Sequence, residues 1–331
     1  MPAKPVKILF VDWYRQYDPA NVERELEWRI MSKKWDLELS EEPDVLFYSN
    51  YGDKHMQYTC LRVFVSMENV RPNFNVCDYA FTFDYPINTR NYRLPLYRRC
   101  GEYKELLLKR DVQTISAQKR KFCSFMVSNQ KAKERIEFFK KLSGYKPVDS
   151  GGRYMNNIGG SIAPGRQNKV DWMRNYKFSI AFENTSYPGY TTEKMLEAFV
   201  SGTIPIYWGN PLIGLDFNPK AFVNCHDFKS FDEVIEHVKE IDQNETLYQD
   251  YLRQPMLSGG VETEFCQEEN ILARYDEIIS THKVFISSPQ KRIQRLLFPA
   301  NKFIRRIAKQ SSRQAKKTVS AAKRRIRQLI N

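Results

Sequence analysis

Short apolar runs of strand length alternate with polar or helical stretches along the first third of the chain, and this alternation restricts the fold more than any other feature. The runs cover residues 7–14, 35–39, 44–49, 61–66 and 79–83. An acidic segment near residues 22–31 is predicted to form the first helix. Strands that alternate with helices in this way are typical of α/β proteins with a mostly parallel sheet.

A second set of elements follows a predicted helix and polar linker at residues 101–120. Its predicted strands are 121–129, 176–184 and 203–210, and its predicted helices are 131–142, 193–200, 231–240 and 270–280. The Gly- and Asn-rich stretch 149–165 is predicted to be a loop. A length of 331 residues also favours two domains. We therefore expect an α/β protein with domains over 1–115 and 116–282, followed by a tail over 283–331.

Positive charge is concentrated in the tail. Residues 283–331 carry 15 Lys or Arg and no acidic residue, whereas the rest of the chain carries 37 basic and 39 acidic side chains. Apolar residues recur at helical spacing at positions 304, 307, 315, 319, 322, 326 and 329. This pattern predicts a basic amphipathic helix over 299–331 that docks on an anionic membrane surface. A solvated tail or a nucleic-acid arm is the alternative. Residues 283–298 are expected to pack back on the first domain.

The body of the chain shows no membrane or nucleic-acid signature. No apolar run approaches the roughly 18 residues that span a membrane, and the N-terminus lacks the layout of a signal peptide. The six cysteines are scattered without a CxxC pair, and there are only four histidines, so no metal-ligand pattern is evident. We expect a cytoplasmic protein with reduced cysteines, associated peripherally with the inner face of the membrane, and no nucleic-acid partner.

The most informative segment is 176–211, YKFSIAFENTSYPGYTTEKMLEAFVSGTIPIYWGNP. It predicts a buried strand, a loop, a helix and a second strand. Thr191 or Thr192 is expected to cap this helix, and Glu193 in its first turn complements the helix dipole. A helix start beyond the carboxyl end of a strand favours an anion, and Lys194 adds positive charge, so a pyrophosphate fits there with Glu193 on a ribose diol. An ordinary helix start with a solvated lysine is the alternative.

The same segment resembles the signature of the α-1,3-fucosyltransferases of glycosyltransferase family 10. The matching residues are Lys177-Phe178, Phe182-Glu183-Asn184, Tyr190, Thr192-Glu193-Lys194 and Gly202-Thr203-Ile204-Pro205 through Gly209. Residues 67–96, 122–129 and 216–228 also look like bacterial members of that family, so the resemblance covers about 63–280. It implies two Rossmann-like domains facing a cleft, the GT-B arrangement, with the acceptor bound by the first domain and GDP-fucose by the second.

The resemblance implies transfer of L-fucose from GDP-β-L-fucose, with inversion, to the 3-OH of GlcNAc or glucose. The acceptor would be a galactose-containing oligosaccharide or glycolipid, and the product would be of the Lewis type. A GT-B enzyme that uses another sugar nucleotide is one alternative. A membrane- or nucleic-acid-binding protein driven by its tail is another.

Inversion needs a carboxylate base on the acceptor side and positive charge around the leaving pyrophosphate. Glu68 matches the family's base, because it follows the strand 61–66 and precedes the PNF segment; an exposed loop carboxylate is the alternative. Arg135 matches an arginine that contacts the donor phosphates, although an arginine on so basic a helix is ordinarily solvated.

The other donor-side roles also follow from the resemblance. Lys194 is expected to neutralise the pyrophosphate, Glu193 to bind the ribose, and Asn184 and Tyr190 to line the donor pocket. Glu183 is expected to orient their loop, since a carboxylate beside the diphosphate would repel it. Related sequences often carry an arginine a little later in the 149–165 stretch, and Arg153 is given no role. No cofactor is expected to be required, with a divalent cation at most stimulating the reaction.

Overall fold

Two parallel β-sheets organise the protein, whose computed structural model describes residues 4–299 apart from 15, 16, 87, 119, 120 and 131. The strands of the first sheet are β1 Val6–Val11, β2 Leu37–Leu39, β3 Val45–Tyr48, β4 Leu61–Val65, β5 Tyr79–Thr82 and β6 Asn91–Arg93. They lie in the order β2-β1-β3-β4-β5-β6, and every neighbouring pair is parallel.

The second sheet has five strands. They are β7 Lys121–Phe125, β8 Val148–Ser150, β9 Tyr176–Ile180, β10 Ile204–Tyr207 and β11 Val223–Asn224. Their order is β11-β10-β9-β7-β8, again with parallel pairing throughout. The prediction of an α/β protein with parallel sheets is therefore confirmed.

Helices connect the strands. The α-helices are α1 Leu26–Met31, α2 Val112–Gln118, α3 Lys133–Leu142, α4 Arg166–Met173, α5 Glu193–Val200, α6 Phe231–Gln243, α7 Glu245–Arg253 and α8 Glu268–Thr281. Short 3₁₀ helices lie at Pro19–Arg24, Lys54–Gln57, Leu96–Arg99, Gly101–Leu107, Ile213–Leu215, Pro219–Ala221, Cys225–Asp227, Ser258–Gly260 and Glu264–Cys266. Residues 288–299 are also helical, and we call them the terminal helix.

The central strands are apolar because both faces of each sheet are covered. Every residue of β3 and β4 is buried. Helices α1 and α8 pack on one face of the first sheet, and segments carrying Tyr58 and Phe74 cover the other. Parallel strands covered on both faces have continuous apolar sequences rather than alternating ones, which is why these runs are recognisable in the sequence.

The end of the described chain returns to the first sheet. Helix α8 contributes Ile271 and Tyr275 to that sheet's core. Beyond it, the carboxylate of Asp78 accepts from the backbone N–H of Ile286 at 2.9 Å and pairs with the ammonium of Lys291 at 2.7 Å. The side chains of Asp78 and Lys291 are fully buried. The prediction that residues 283–298 pack back on the first domain is confirmed. Of the predicted tail helix over 299–331, residues 300–331 lie outside the described residues.

Several predicted elements are shorter in the structure; the strands predicted at 121–129 and 176–184, for example, end at Phe125 and Ile180. The strand predicted at 7–14 ends at Val11, because Asp12 adopts a left-handed φ of 51° and turns the chain away from the sheet. The stretch 149–165 was expected to be entirely loop, but its first residues form the end of β8, paired with β7. Strand β8 has only three residues, and so short a run carries no alternation to reveal it.

Strands β6 and β11 and helices α4 and α7 were not predicted from the sequence. Strand β6 has the sequence NYR and lies at the sheet edge. Helix α4 buries Val170 and Met173, and helix α7 buries Tyr248 and Leu252. Strands β6 and β11 have three and two residues, too few to show an alternating pattern. Helix α4 has only a weak apolar pattern, whereas α7 does carry Leu247, Tyr248, Tyr251 and Leu252 at helical spacing and was recognisable from the sequence.

Candidate active site

A cavity of about 590 Å³ lies between the two sheets, and residues from both halves of the chain line it. We call it the cleft cavity. Tyr14, Tyr51 and Glu68 border it from the first half, where they follow the carboxyl ends of β1, β3 and β4. Arg166 and Glu193 border it from the second half. The arrangement matches the rule that ligands of open α/β sheets bind beyond the carboxyl ends of the strands.

The loop that carries Glu68 is held by its own backbone. The hydroxyl of Ser66 donates to the carbonyl of Glu68 at 2.7 Å and to that of Val70 at 3.0 Å, and the N–H of Val70 donates to the Glu68 carbonyl at 2.6 Å. The Glu68 side chain itself is exposed and accepts from the Tyr51 hydroxyl at 3.4 Å. The loop thus fixes the Glu68 backbone while its carboxylate remains accessible from the cleft cavity.

A denser network of charges lies at the start of α5. Glu183 is fully buried and accepts from the backbone N–H of Thr192 at 2.7 Å and from its hydroxyl at 2.8 Å. The ammonium of Lys194 lies 3.3 Å from Glu183 Oε2 and 3.2 Å from Glu193 Oε1. The side chains of Glu193 and Lys194 are 28% and 22% exposed. One lysine therefore joins a buried carboxylate to one that reaches the cleft cavity.

The prediction that Thr191 or Thr192 caps α5 is wrong for the side chains. Thr192 occupies the N-cap position, but it makes no capping hydrogen bond. Its hydroxyl donates to Glu183 instead, and the hydroxyl of Thr191 accepts from Asn210 Nδ2 at 3.2 Å. Both threonines thus anchor the preceding loop rather than the first turn of the helix.

Burial and charge set the protonation of this network. Burial raises the pKa of the Glu183 carboxyl, and the charge of Lys194 opposes that effect. Burial also acts to raise the pKa of Glu193, but Lys194 and then Lys169 outweigh it and bring this pKa down to about 2. Burial acts to lower the pKa of Lys194, and the charges of Glu183 and Glu193 outweigh it, so this pKa rises. Glu193 and Lys194 therefore both remain charged at neutral pH.

Arg135 lies within the same half of the chain and is buried on α3, with 4% of its surface exposed. Its guanidinium donates to the carbonyl of Phe182 and, at 3.1 Å, to Asn184 Oδ1. Burial lowers its pKa, while the charges of Glu183 and Glu193 oppose this. The alternative interpretation of Arg135 as a solvated surface arginine is therefore wrong. Arg135 holds the loop after β9, and its contact with the donor phosphates stays a prediction.

Tyr190 lies at the junction of the two halves. It is 2% exposed, and its ring packs edge to face against Phe83 with the centroids 4.9 Å apart. The neighbouring Gly189 has a φ of +84°, and a Cβ there would lie 2.3 Å from the carbonyl oxygen of Phe83. Only glycine lets the loop approach the first half this closely.

Four side chains connect the Glu68 loop to the loop after β9, and we call them the cleft bridge: Asn69, Arg71, Thr185 and Tyr187. Asn69 Nδ2 donates to Thr185 Oγ1 at 2.5 Å. The guanidinium of Arg71 stacks on the ring of Tyr187, with its carbon 3.6 Å from the ring centroid. The same guanidinium forms an ion pair with Asp84 at 3.3 Å. The cleft bridge therefore couples the position of Glu68 to that of the predicted donor-binding loop.

The structure brings the predicted site residues into one region. Glu193 and Lys194 are in contact, Arg135 contacts Asn184, and Glu68 lines the same cavity as Glu193. Tyr190 packs at the junction between the halves. Their roles in donor binding and catalysis stay predictions.

Sequence reasoning missed other residues of the cleft cavity. Arg166, the first residue of α4, pairs with Glu102 at 3.0 Å and lies 3.6 Å from Glu197. It follows the stretch 149–165 directly, whereas Arg153, within that stretch, is exposed. An arginine that begins a short helix gives no signal in the sequence that it borders a cavity. Tyr51 carried no sequence signal, because a tyrosine after a short strand is common.

Two negative findings concern the described residues alone. Among them, no three His, Cys, Asp or Glu side chains form a group able to hold a metal ion. No helix in that part of the chain has both the length and the hydropathy that crossing a bilayer requires.

Comparison with protein families gives two matches that together span most of the chain. Residues 116–269 match the model of the C-terminal region of glycosyltransferase family 10, the fucosyltransferases. Residues 8–99 match the model of the N-terminal domain of the α-(1,3)-fucosyltransferase FucT.

Individual fucosyltransferases are also similar to this chain in sequence. The α-(1,3)-fucosyltransferase FucT of Helicobacter pylori is 32% identical over 329 residues, an alignment that covers 86% of this chain and 68% of the relative. A putative fucosyltransferase of Acanthamoeba polyphaga mimivirus, R654, is 31% identical over 176 residues, covering 50% of this chain and 29% of the relative. The bovine α-(1,3)-fucosyltransferase 4 is 32% identical over 145 residues, which cover 41% of this chain and 34% of that protein.

Solved structures of similar sequence share the fold. A crystal structure of an α1,3-fucosyltransferase superposes with a TM-score of 0.75 at 31% identity, covering 86% of this chain and 93% of the other. A structure of an α1,3-fucosyltransferase with GDP-fucose gives a TM-score of 0.71 at 30% identity, covering 87% of this chain and 95% of that one.

Proposed function

The chain belongs to glycosyltransferase family 10, and we propose that it transfers L-fucose from GDP-β-L-fucose, with inversion, to the 3-OH of GlcNAc or glucose in a galactose-containing glycan. One observation carries the proposal. Glu68 from the first half and Glu193, paired with Lys194, from the second half line the same cavity of about 590 Å³. A volume of this size is within the usual range for small-molecule sites.

In this proposal Glu68 is the general base. It removes the proton of the acceptor hydroxyl while the hydroxyl oxygen attacks the anomeric carbon of fucose from the side opposite GDP. The bond between that carbon and the diphosphate breaks in the same step, which inverts the anomeric configuration. The exposed carboxylate of Glu68 and its fixed backbone support this role, because a base must reach its substrate and be held in place.

The second half binds the donor. Lys194 offsets the negative charge that develops on the departing diphosphate, and the start of α5 adds the partial positive charge of a helix N-terminus. Arg135 has N–H donors beyond those used on Phe182 and Asn184, and these serve the phosphates. Glu193 accepts from the ribose hydroxyls, and Asn184 and Tyr190 shape the pocket. With this positive charge in place, we propose that no cofactor is required and that a divalent cation at most stimulates turnover.

Product analysis tests the proposal. Purified protein is incubated with GDP-fucose and N-acetyllactosamine, and the trisaccharide is examined by NMR. An α-linked fucose on the 3-OH of GlcNAc is the expected product. Turnover of a different sugar nucleotide, with GDP-fucose neither bound nor cleaved, would keep the GT-B fold and refute the fucose assignment. A β-linked product would refute inversion, and loss of turnover in EDTA would refute independence from metal.

We further propose that residues 299–331 dock the enzyme on an anionic membrane surface at the inner face of the membrane, where a glycolipid acceptor would lie. The basic amphipathic pattern of that segment supports this, as do Ile293, Leu296 and Leu297 on the terminal helix, which are 55%, 78% and 53% exposed. Co-sedimentation with vesicles containing phosphatidylserine is expected for the full chain and is expected to be lost on deletion of 300–331. Equal sedimentation of both proteins would overturn the assignment.

A further inference from the structure

A second cavity, of about 560 Å³, lies beside the cleft cavity at the carboxyl ends of β1 and β2. We call it the side cavity. Tyr14 and Tyr51 line both cavities, so the two are neighbours that share a wall. Tyr51 is 49% exposed and donates to Glu68, which places the opening of the side cavity next to the proposed base. A ligand in the cleft cavity can therefore extend past Tyr51 into the side cavity.

The lining of the side cavity suits a neutral, polyhydroxylated ligand. Besides Tyr14 and Tyr51, it presents the aromatic side chains of Trp13, Tyr17 and Tyr58. The electron-rich face of an aromatic ring attracts the slightly positive C–H groups on one side of a pyranose, and the phenol hydroxyls bond its polar groups. Mostly apolar lining with a few placed polar groups is the usual composition of a small-molecule site.

The charges in the side cavity do not favour an anion. Its acidic side chains are Asp12 and Glu41, and its basic side chain is Lys54. The carboxylate of Asp12 already has protein partners. It accepts from the backbone N–H of Lys54 at 3.0 Å and from that of His55 at 2.9 Å, and it lies 2.8 Å from His55 Nδ1. Glu41 is exposed and accepts from the Tyr58 hydroxyl at 3.3 Å, so it is placed to bond a ligand hydroxyl as well. A phosphate or a sulfate would meet more negative than positive charge here.

The wall of the side cavity is formed before any ligand arrives. Glu25 is buried, and its carboxylate accepts from Trp13 Nε1 at 2.9 Å and from the Tyr14 hydroxyl. The bonds to Asp12 hold that residue in its left-handed conformation and fix the turn that follows β1. A preorganised wall loses little conformational entropy when a ligand binds.

We propose that the side cavity is a binding subsite for the acceptor glycan outside the disaccharide that receives fucose. This inference rests on the proposed function, because it assumes that the acceptor hydroxyl lies next to Glu68. Such a subsite makes the first half of the chain selective for the length of the acceptor glycan. A glycan longer than Gal–GlcNAc places its additional sugars against Tyr17 and Tyr58, and Glu41 accepts hydrogen bonds from the hydroxyls of those sugars. Short acceptors use the cleft cavity alone.

Kinetics with two acceptors tests this subsite. The wild-type enzyme is assayed with N-acetyllactosamine and with the tetrasaccharide that contains two such units, and kcat and KM are determined for each. The tetrasaccharide is expected to have a KM lower by roughly tenfold, the effect of one or two hydrogen bonds or ring contacts. Ser40→Trp, which fills the side cavity, and Glu41→Ala, which removes an exposed hydrogen-bond acceptor, are expected to abolish this advantage and leave the disaccharide kinetics unchanged. Glu42→Ala is the matched control, since Glu42 is also exposed but does not line the side cavity.

Each outcome decides the inference. Equal KM values for the two acceptors in the wild type would overturn it, as would an advantage that persists in both cavity variants or disappears in Glu42→Ala. Should Ser40→Trp fail to fold, Glu41→Ala decides alone. Calorimetric titration of the tetrasaccharide into the GDP-bound wild type and variants separates this inference from the proposed function. Binding that weakens in Glu41→Ala supports the subsite even if no fucose is transferred, whereas fucose transfer without any length preference refutes the subsite alone.

Discussion

The two faces of the cleft are built differently. On the second-sheet face, Glu183 is fully buried and Lys194 joins it to Glu193, so the charges hold each other in position. On the first-sheet face, Glu68 is exposed and accepts from the Tyr51 hydroxyl over 3.4 Å. The first face is fixed at its backbone and open at its carboxylate. On the second face, the ion pairs also hold the charged side chains in place.

This difference corresponds to two kinds of ligand. A diphosphate carries charge, and positive groups stabilise it best when they are oriented before it binds. A glycan is neutral, so shape, aromatic surface and a few hydrogen bonds recognise it, as we propose for the side cavity. The comparison suggests that substitutions on the two faces will have separable effects on donor binding and on chemistry.

The largest expected effect is on the first-sheet face. Glu68→Gln keeps the size of the side chain but removes the proposed base, so kcat is expected to fall by about 10²- to 10⁴-fold. The pre-steady-state rate of fucose transfer is the measurement. Glu42→Gln changes an exposed carboxylate outside the cleft cavity and is the control. A Glu68→Gln enzyme that retains most of its kcat would show that another group is the base.

The second expected effect is on the opposite face. Lys194→Met removes the ammonium that we propose offsets charge on the leaving diphosphate. The value of kcat is expected to fall by about 10²- to 10³-fold, as for the loss of one group that stabilises a transition-state anion. Lys177→Met is a matched control, because Lys177 is a partly buried lysine that pairs with Asp242 at 3.3 Å, whereas Lys194 pairs with Glu183 and Glu193. If both variants lose the same activity, general destabilisation explains the loss and the role of Lys194 is refuted.

The cleft bridge should give a smaller effect that links the two faces. Asn69→Ala removes the hydrogen bond to Thr185. Such a bond contributes a net free energy of about 1 kcal/mol, and its loss from the transition state lowers kcat by up to about tenfold. Thr185→Val removes the same bond from the other side. In a double-mutant cycle the two effects should not add, because they break one interaction. Additive effects would show that the bond does not position Glu68.

The smallest expected effect concerns stability in acid. The pKa of Glu193 is about 2 in the folded protein, below the ordinary value of 4.5, because Lys194 and Lys169 outweigh burial. The charged carboxylate therefore stabilises the fold fully above about pH 4.5, and this contribution is lost as the pH falls toward 2. Glu193→Gln should flatten the decline of Tm between those values. An unchanged slope would show that Glu193 and Lys194 contribute little to stability, as partly exposed pairs often do.

The sequence predicted the second-sheet face better than the first. The segment 176–211 places Glu183, Glu193 and Lys194 close together along the chain, so local sequence is enough to identify their cluster. Arg135 was identified only through the family resemblance, because its neighbours on α3 are basic and nothing local shows that it is buried. The carboxylate of Glu68 was identified in the same way.

The first-sheet face depends on residues that are distant in sequence. Tyr14, Tyr51 and Glu68 follow three different strands, and only the strand order brings them together. The side cavity adds Glu41 from the loop after β2, and Tyr58 from the connection between β3 and β4 that also carries Tyr51. A single sequence does not indicate the strand order, so neither cavity was predictable without the structure.

Titration of GDP by calorimetry into the wild type, Glu68→Gln and Lys194→Met tests most directly whether the two faces have separate roles. Glu68→Gln is expected to bind GDP with wild-type affinity, whereas Lys194→Met is expected to bind it about 10- to 100-fold more weakly, as for the loss of a charged hydrogen bond. Wild-type affinity in Lys194→Met, or equal weakening in both variants, would contradict separate roles for the two faces.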